Sequence, residues 1–148
     1  MLSYRHAFHA ANAADVLKHS ILVFCLDYLL RKEKPLLCVD THAGAGRYIL
    51  NEGFAAQKRE WEQGLWKLTG GMNCGDNRPG KPLPAMLDRY VQLCRFLSGG
   101  EDAARILMYP GSPLFMAALL RPADRLVCFE THPADFRECE GVLAGRAE

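Results

Sequence analysis

The chain reads as an α/β protein with a mainly parallel sheet, on three observations. Two short apolar runs, "LLCVD" (36–40) and "RLVCFE" (125–130), have strand length, and each ends on a carboxylate. Segments of helical periodicity flank and separate them, the alternation that builds parallel sheets. Between them, "VDTHAGAGRY" (39–48) climbs to Asp40 and passes Gly44 and Gly46, which reads as a strand turning through a glycine loop into a helix.

The elements follow in order. Residues 12–33 predict a long helix, with Asn12 or Asp15 as its cap and Val16, Leu17, Ile21, Phe24 and Leu29 near helical spacing. Its basic end and Pro35 suit a stop. "LLCVD" is then a buried strand. Residues 55–68 predict a helix with Trp61, Leu65 and Leu68 on one face. "TGGMNCGDNRPGKPLP" (69–84) is dense in glycine and proline and reads as a loop. Residues 85–98 predict a helix striped by Leu87, Tyr90, Val91, Cys94 and Leu97. "RILMY" (105–109) is a short strand. Residues 112–121 start a helix with Ser112 as N-cap and Pro113 in the first turn. "RLVCFE" is the second clear strand, and Pro133 opens a last helix.

A length of 148 residues predicts one domain, able to bury roughly 68–70% of its unfolded surface. Composition is that of an ordinary globular protein, and a net charge of +1 gives no chain-wide electrostatic footprint for nucleic acid, leaving only local basic groups to meet phosphate. The six cysteines form no C-x-x-C pair, and several lie inside apolar runs. The N-terminus "MLSYRHAFHA" is polar and lacks a signal-peptide pattern. No stretch reaches the ~18 apolar residues of a membrane span. Buried, reduced thiols in a cytoplasmic protein without membrane attachment are therefore expected. A zinc site built on His6 and His9 would need a second ligand pair at metal spacing, which the sequence lacks.

In a parallel sheet, ligands bind beyond the carboxyl ends of the strands. Asp40 and Glu130 both stand there, able to accept hydrogen bonds from ribose hydroxyls or an amine. Three nucleotide-type ligands compete for the glycine loop. A dinucleotide fingerprint would need a third glycine where Ile49 stands, and an acid at a second strand end about 20 residues on, where Glu60 lies in a helical pattern. A phosphate loop has a near miss in "GDNRPGKP" (75–82), but Pro82 replaces the magnesium-binding hydroxyl and no apolar strand precedes it. S-adenosylmethionine (SAM) carries no pyrophosphate and needs no third packing glycine. Its loop has an acid followed by glycines at +2, +4 and +6. Here Gly44 and Gly46 hold +4 and +6, and His42 takes +2. A tight turn without ligand is the remaining reading.

Four blocks, "MLSYRHAFHAANAADVLKH", "DTHAGAGRY", "YPGSP" and "ETHPADF", together resemble the bacterial 23S ribosomal RNA adenine-N6 methyltransferases, and in the same order. The resemblance covers most of residues 1–48 and 106–137. It implies a class I SAM-dependent methyltransferase (Rossmann-like) fold with a helical insertion at 54–104, which accounts for the ninety residues between Asp40 and Glu130. It implies cofactor contacts at His19, His42, Ser112 and Glu130, with Lys18, Asp40, Gly44 and Gly46 beside them. Glu130 would accept from ribose hydroxyls. His42 and Ser112 would bond the amino-acid end, and Lys18 or His19 its carboxylate. Tyr4 would touch the RNA, and Arg5 would attract phosphate. Taken alone, Lys18 reads as a solvated charge, and His19 equally as a packing histidine.

Adenine N6 methylation in this family uses a D/N-P-P-Y/F motif: a polar side chain and a backbone carbonyl hold the amine, and an aromatic stacks on the base. The eight prolines, at 35, 79, 82, 84, 110, 113, 122 and 133, include no adjacent pair. The expectation is the N-terminal, cofactor-binding part of one methyltransferase domain, with 23S rRNA as partner, catalytic residues outside these 148, and no activity of its own. A full-length protein is expected to be monomeric and this part to self-associate. The alternatives are a non-catalytic SAM- or RNA-binding remnant and a nucleotide-dependent oxidoreductase.

Overall fold

The computed structural model describes residues 5–69, 82–99 and 106–144. A 3-10 turn at His6–His9 leads into α1 (Ala13–Leu29), then β1 (Leu37–Asp40) and β2 (Arg47–Ile49). Next come α2 (Gly53–Lys58), a 3-10 turn at Glu60–Glu62, α3 (Leu65–Leu68) and α4 (Ala85–Leu97). The chain closes with β3 (Met108–Pro110), α5 (Ser112–Leu119), β4 (Arg125–Cys128) and α6 (Pro133–Ala144). The near-miss phosphate loop, apart from Pro82, and Tyr4 lie outside the described residues, as do 70–81 and 100–104 of the expected insertion.

The two runs that predicted a parallel sheet do pair in parallel, Leu37 opposite Arg125 through Asp40 opposite Cys128. The glycine loop departs from expectation. It runs into strand β2, antiparallel to β3 with Arg47 opposite Pro110, and not into a helix. One long-range and one local bond explain this: Gly111 N–H donates to the Gly46 carbonyl at 2.8 Å, and Ala45 N–H donates to the Tyr48 hydroxyl at 3.2 Å. These bonds hold the chain extended past Gly46.

Asn12 caps α1 by accepting from Asp15 N–H at 3.0 Å, which leaves the Asp15 carboxylate for other partners. The buried face of α1 differs from the predicted stripe. Asp15, His19, Ser20, Val23 and Leu26 are buried, packed towards α4 and α5, whereas Leu17, Ile21, Phe24 and Leu29 are exposed. Helix α4 follows expectation more closely: Tyr90, Val91, Cys94 and Leu97 are buried, Leu93 joins them, and Leu87 is half-buried. The single helix expected over 55–68 is broken. Arg59 adopts a left-handed conformation (φ 51°) that ends α2. Gly64 then packs against the Ala11 carbonyl so closely that a Cβ there would lie 2.1 Å from that oxygen. Helix α5 begins one residue earlier than predicted: Gly111 is the N-cap and Ser112 the first helical residue.

The core gathers Val23, Tyr90, Val91, Cys94, Tyr109, Leu114 and Phe115 between α1, α4, α5 and β3. The described cysteines 25, 38, 94, 128 and 139 are free thiols, but only Cys94 and Cys139 are buried, and Cys25 is exposed. No helix among the described residues is long and apolar enough to cross a membrane.

Candidate functional site

At the carboxyl ends of β1 and β4 the surface opens into a cavity of about 820 Å³, within the size range of small-molecule sites. Four segments wall it: the 3-10 turn and start of α1, the loop after β1, the start of α5 and the turn after β4.

The α1 wall is a charge network. Asp15 is buried yet ionised. Its Oδ2 accepts from Ala11 N–H at 3.0 Å and lies 2.8 Å from His6 Nε2, and its Oδ1 meets Lys18 Nζ at 3.1 Å. Burial alone would raise the Asp15 pKa; the His6 hydrogen bond and the charges of His19, His6 and Lys18 overcome it and hold the carboxyl well below its usual range. One turn on, His19 is 1% exposed. Its Nδ1 bonds the Tyr109 hydroxyl at 2.6 Å, while Nε2 has no hydrogen-bond partner among the described residues. Burial lowers its pKa to about 3, so the ring is neutral.

The loop wall depends on glycine. Gly44 has φ +64°, and a Cβ on it would meet the Tyr48 hydroxyl at 2.2 Å; no other residue fits without displacing that ring. Gly44 N–H donates to Glu130 Oε2 at 2.8 Å, and His132 N–H donates to Glu130 Oε1 at 2.7 Å. The Glu130 carboxylate thus ties the loop after β1 to the turn after β4, with a lone pair on each oxygen left over. Burial pushes the Tyr48 hydroxyl pKa up, which keeps it neutral. At the rim, Glu60 accepts from Asn12 Nδ2 at 3.1 Å and pairs with His9 Nδ1 at 2.8 Å. The His9 bond, with that of Asn12, lowers the Glu60 pKa.

Of the residues singled out in the sequence, Lys18, His19, His42, Gly44, Ser112 and Glu130 all line this one cavity. His42 is exposed, its Nδ1 2.9 Å from Thr41 Oγ1. Asp40 and Gly46 do not line it. Asp40 Oδ1 accepts from His42 N–H at 3.1 Å and braces the turn, and its Oδ2 is buried without a partner among the described residues. Gly46, at φ +78°, packs beneath α6 against Cys139. Arg5 sits beside the rim, its guanidinium 5.0 Å from the Phe54 ring centre and bonded to the His132 ring at 3.2 Å.

Sequence reasoning passed over Asp15 as more than a cap, and also Tyr48, His132 and Asp135. An acid at the third position of a helix gives no sign of burial until the His6 and Lys18 partners are seen. Tyr48 carried a signal in hindsight: an aromatic two residues after a glycine loop has little to pack on except the loop. Among the described residues no group of three His, Cys, Asp or Glu side chains is placed to hold a metal ion; His6 and His9 turn instead to Asp15 and Glu60.

Residues 33–147 match the family model of ribosomal RNA large subunit methyltransferase D, RlmJ. Two proteins described as ribosomal RNA large subunit methyltransferase J, from Escherichia coli (strain K12) and Haemophilus influenzae (strain ATCC 51907 / DSM 11121 / KW20 / Rd), are each 40% identical over 136 residues. The matches take in 92% of this chain but 44% of each relative. The crystal structure of protein LPL1258 from Legionella pneumophila str. Philadelphia 1 aligns with a TM-score of 0.71 at 31% identity, covering 89% of this chain and 44% of that one. The chain therefore spans less than half the length of the relatives it matches.

Proposed function

From the premise that the chain belongs to the RlmJ family of ribosomal RNA large subunit methyltransferases, we propose that its cavity holds SAM. We propose further that these residues are the cofactor-binding part of a class I, 23S rRNA adenine-N6 methyltransferase acting in the cytoplasm. The observation that carries this reading is the convergence of His19, His42, Ser112 and Glu130 on one cavity from segments up to 111 positions apart (130 − 19).

The residues fit the ligand. Nε2 of neutral His19 is a buried polar atom that needs a partner, and Lys18 adds positive charge beside it, a setting suited to a carboxylate. Gly44, at φ +64°, lets the loop turn over the Tyr48 hydroxyl and aim its N–H at Glu130. Glu130 is already fixed by two backbone amides, and its remaining lone pairs suit vicinal hydroxyls. His42 and Ser112 offer short polar side chains at the cavity wall. SAM supplies an electrophilic methyl group on a sulfonium; the chain's own groups bind and orient it. Arg5, beside the rim, would serve the RNA side together with Tyr4, and 54–104 would correspond to the family's helical insertion. With no D/N-P-P-Y/F among its prolines, the 148-residue chain lacks a group to hold an adenine amine, and turnover requires polypeptide that adds one.

The test is calorimetry with SAM and NAD on the wild-type chain and on Glu130→Ala. SAM binds and NAD does not. Losing hydrogen bonds to a charged acceptor costs roughly 1.5–3 kcal/mol, about 10- to 100-fold in affinity. A folded Glu130→Ala chain with undiminished affinity removes Glu130 from the site, and absence of SAM binding by the wild type sinks the reading.

A further inference from the structure

Behind His19 runs a chain of polar groups that no other feature of the cavity requires. His19 Nδ1 lies 2.6 Å from the Tyr109 hydroxyl, which lies 3.0 Å from the Tyr90 hydroxyl. Tyr90 and Tyr109 are fully buried, so their hydroxyls have His19 and each other to bond. Burial raises the pKa of both tyrosines and lowers that of His19, so every member is neutral.

Neutral members leave two ways to arrange the protons. In one, Nδ1–H donates to Tyr109 and Nε2 offers a lone pair to the cavity. In the other, Tyr109 O–H donates to Nδ1 and Nε2 carries the proton. The separations favour the second. N–H-donated bonds run about 2.7–3.2 Å, whereas hydroxyl-donated bonds reach about 2.5 Å; the 2.6 Å contact belongs to the shorter class. Each phenol has one proton. Once Tyr109 spends its proton on His19, its oxygen must accept from Tyr90, at an ordinary 3.0 Å.

We infer that Tyr109, backed by Tyr90 from α4, is a positioning residue that fixes His19 as the Nε2–H tautomer and so presents a hydrogen-bond donor to the cavity. A donor beside Lys18 selects an acceptor group, the carboxylate of an amino-acid ligand, over an ammonium. The ligand part of this inference rests on the SAM reading above; the tautomer does not. The device also runs through the insertion, since Tyr90 lies on α4, and it makes that helix part of ligand recognition.

Two measurements test it. Nitrogen NMR of the wild-type chain labelled at histidine, with His19 assigned by its loss in His19→Gln, reads the tautomer directly. A protonated Nε2 and a bare Nδ1 are expected; a protonated Nδ1 overturns the inference whatever the ligand proves to be. Calorimetry then compares SAM with decarboxylated SAM, which lacks only the carboxylate. The wild type prefers SAM, and Tyr109→Phe loses about 10-fold of that preference, the worth of about one hydrogen bond, while binding decarboxylated SAM nearly as before. Tyr90→Phe loses less. Tyr109→Phe losing affinity for both ligands equally makes Tyr109 a packing residue only and overturns its role. A wild type that binds neither ligand counts against SAM as the ligand and leaves the tautomer result standing.

Discussion

The two faces of α1 have opposite surroundings. One face carries Asp15, His19 and Ser20 beside Val23 and Leu26, and it is buried against α4, α5 and β3 with nearly every polar group partnered. The other carries Leu17, Ile21, Phe24 and Tyr28, spaced 4, 3 and 4, and these are 46–60% exposed. The exposed apolar surface recurs on β1, where Leu37 and Val39 point to one side and are 63% and 51% exposed. The polar face is the finished one. Apart from His19 Nε2, its groups satisfy each other within this chain, while the apolar stripe, which a hydrophobic pattern marks as core, stays largely exposed among the described residues. A stripe at helical spacing says that a face needs cover, not that local neighbours provide it. A parallel sheet is ordinarily covered on both faces, and the relatives have more than half their length outside the match.

The largest test strikes the finished side. Gly64 packs on the backbone of Ala11 and Asn12, which follow the 3-10 turn, and a Cβ there would lie 2.1 Å from one atom and 2.4 Å from another. Neither is a side chain able to swing aside. Gly64→Ala should cost about 3 kcal/mol or more and shift the urea midpoint downward by a correspondingly large step. A midpoint within error of wild type breaks the idea that this side of the molecule is closely built.

Acid provides a milder test of the same face. His19 has a folded pKa of about 3 against 6.5 for a free histidine. As pH falls, the unfolded chain takes up the proton first. The stability due to neutral His19 is therefore complete above about pH 6.5 and is lost progressively as pH falls towards 3. Asp15, held below its ordinary range, adds a loss at still lower pH. Urea midpoints at pH 7.5, 5.5 and 4.5 should decline for the wild type and decline less for His19→Gln. Parallel curves would show that His19 is not buried neutral.

The smallest effect on stability is expected on the unfinished side. Leu17→Lys with Phe24→Glu should leave the unfolding free energy from urea titration within about 0.5 kcal/mol of wild type, as exposed substitutions do. What should change is association. Sedimentation velocity of the wild-type chain should show dimers or larger species, and the double variant should be mainly monomeric. A wild type that stays monomeric at high concentration breaks the comparison from this end.

The contrast also explains what the sequence made legible. The parallel pairing of β1 and β4 was readable, because short apolar runs ending in carboxylates are a local pattern. So was the stripe of α4, whose face is covered by segments of this chain. The convergence of His19, His42, Ser112 and Glu130 came from block resemblance and sheet topology together, and neither needs side-chain contacts to be known. The failures share a cause. The break in 55–68 arises because Gly64 meets Ala11, more than fifty positions earlier. The burial of Asp15 arises from His6, and the turn into β2 from Gly111 holding Gly46. Each is a contact between separate elements that periodicity does not encode.

The Gly46–Gly111 contact has one more consequence. Two glycines 65 positions apart (111 − 46) join the walls of the cavity through a single 2.8 Å bond, and a Cβ on Gly111 would come within 3.0 Å of the Gly46 oxygen. No local stretch of chain contains the cavity in miniature. It comes into being only when distant segments have closed their loops, so the entropy of that closure is spent before any ligand can be held. Occupancy and folding are then one equilibrium. A ligand at 100 times its dissociation constant adds about 2.7 kcal/mol to the folded state, a large share of what a chain with an uncovered helix face has to spare. A ligand held there would shift the chain towards its folded state by mass action alone, with no contact beyond those of the cavity.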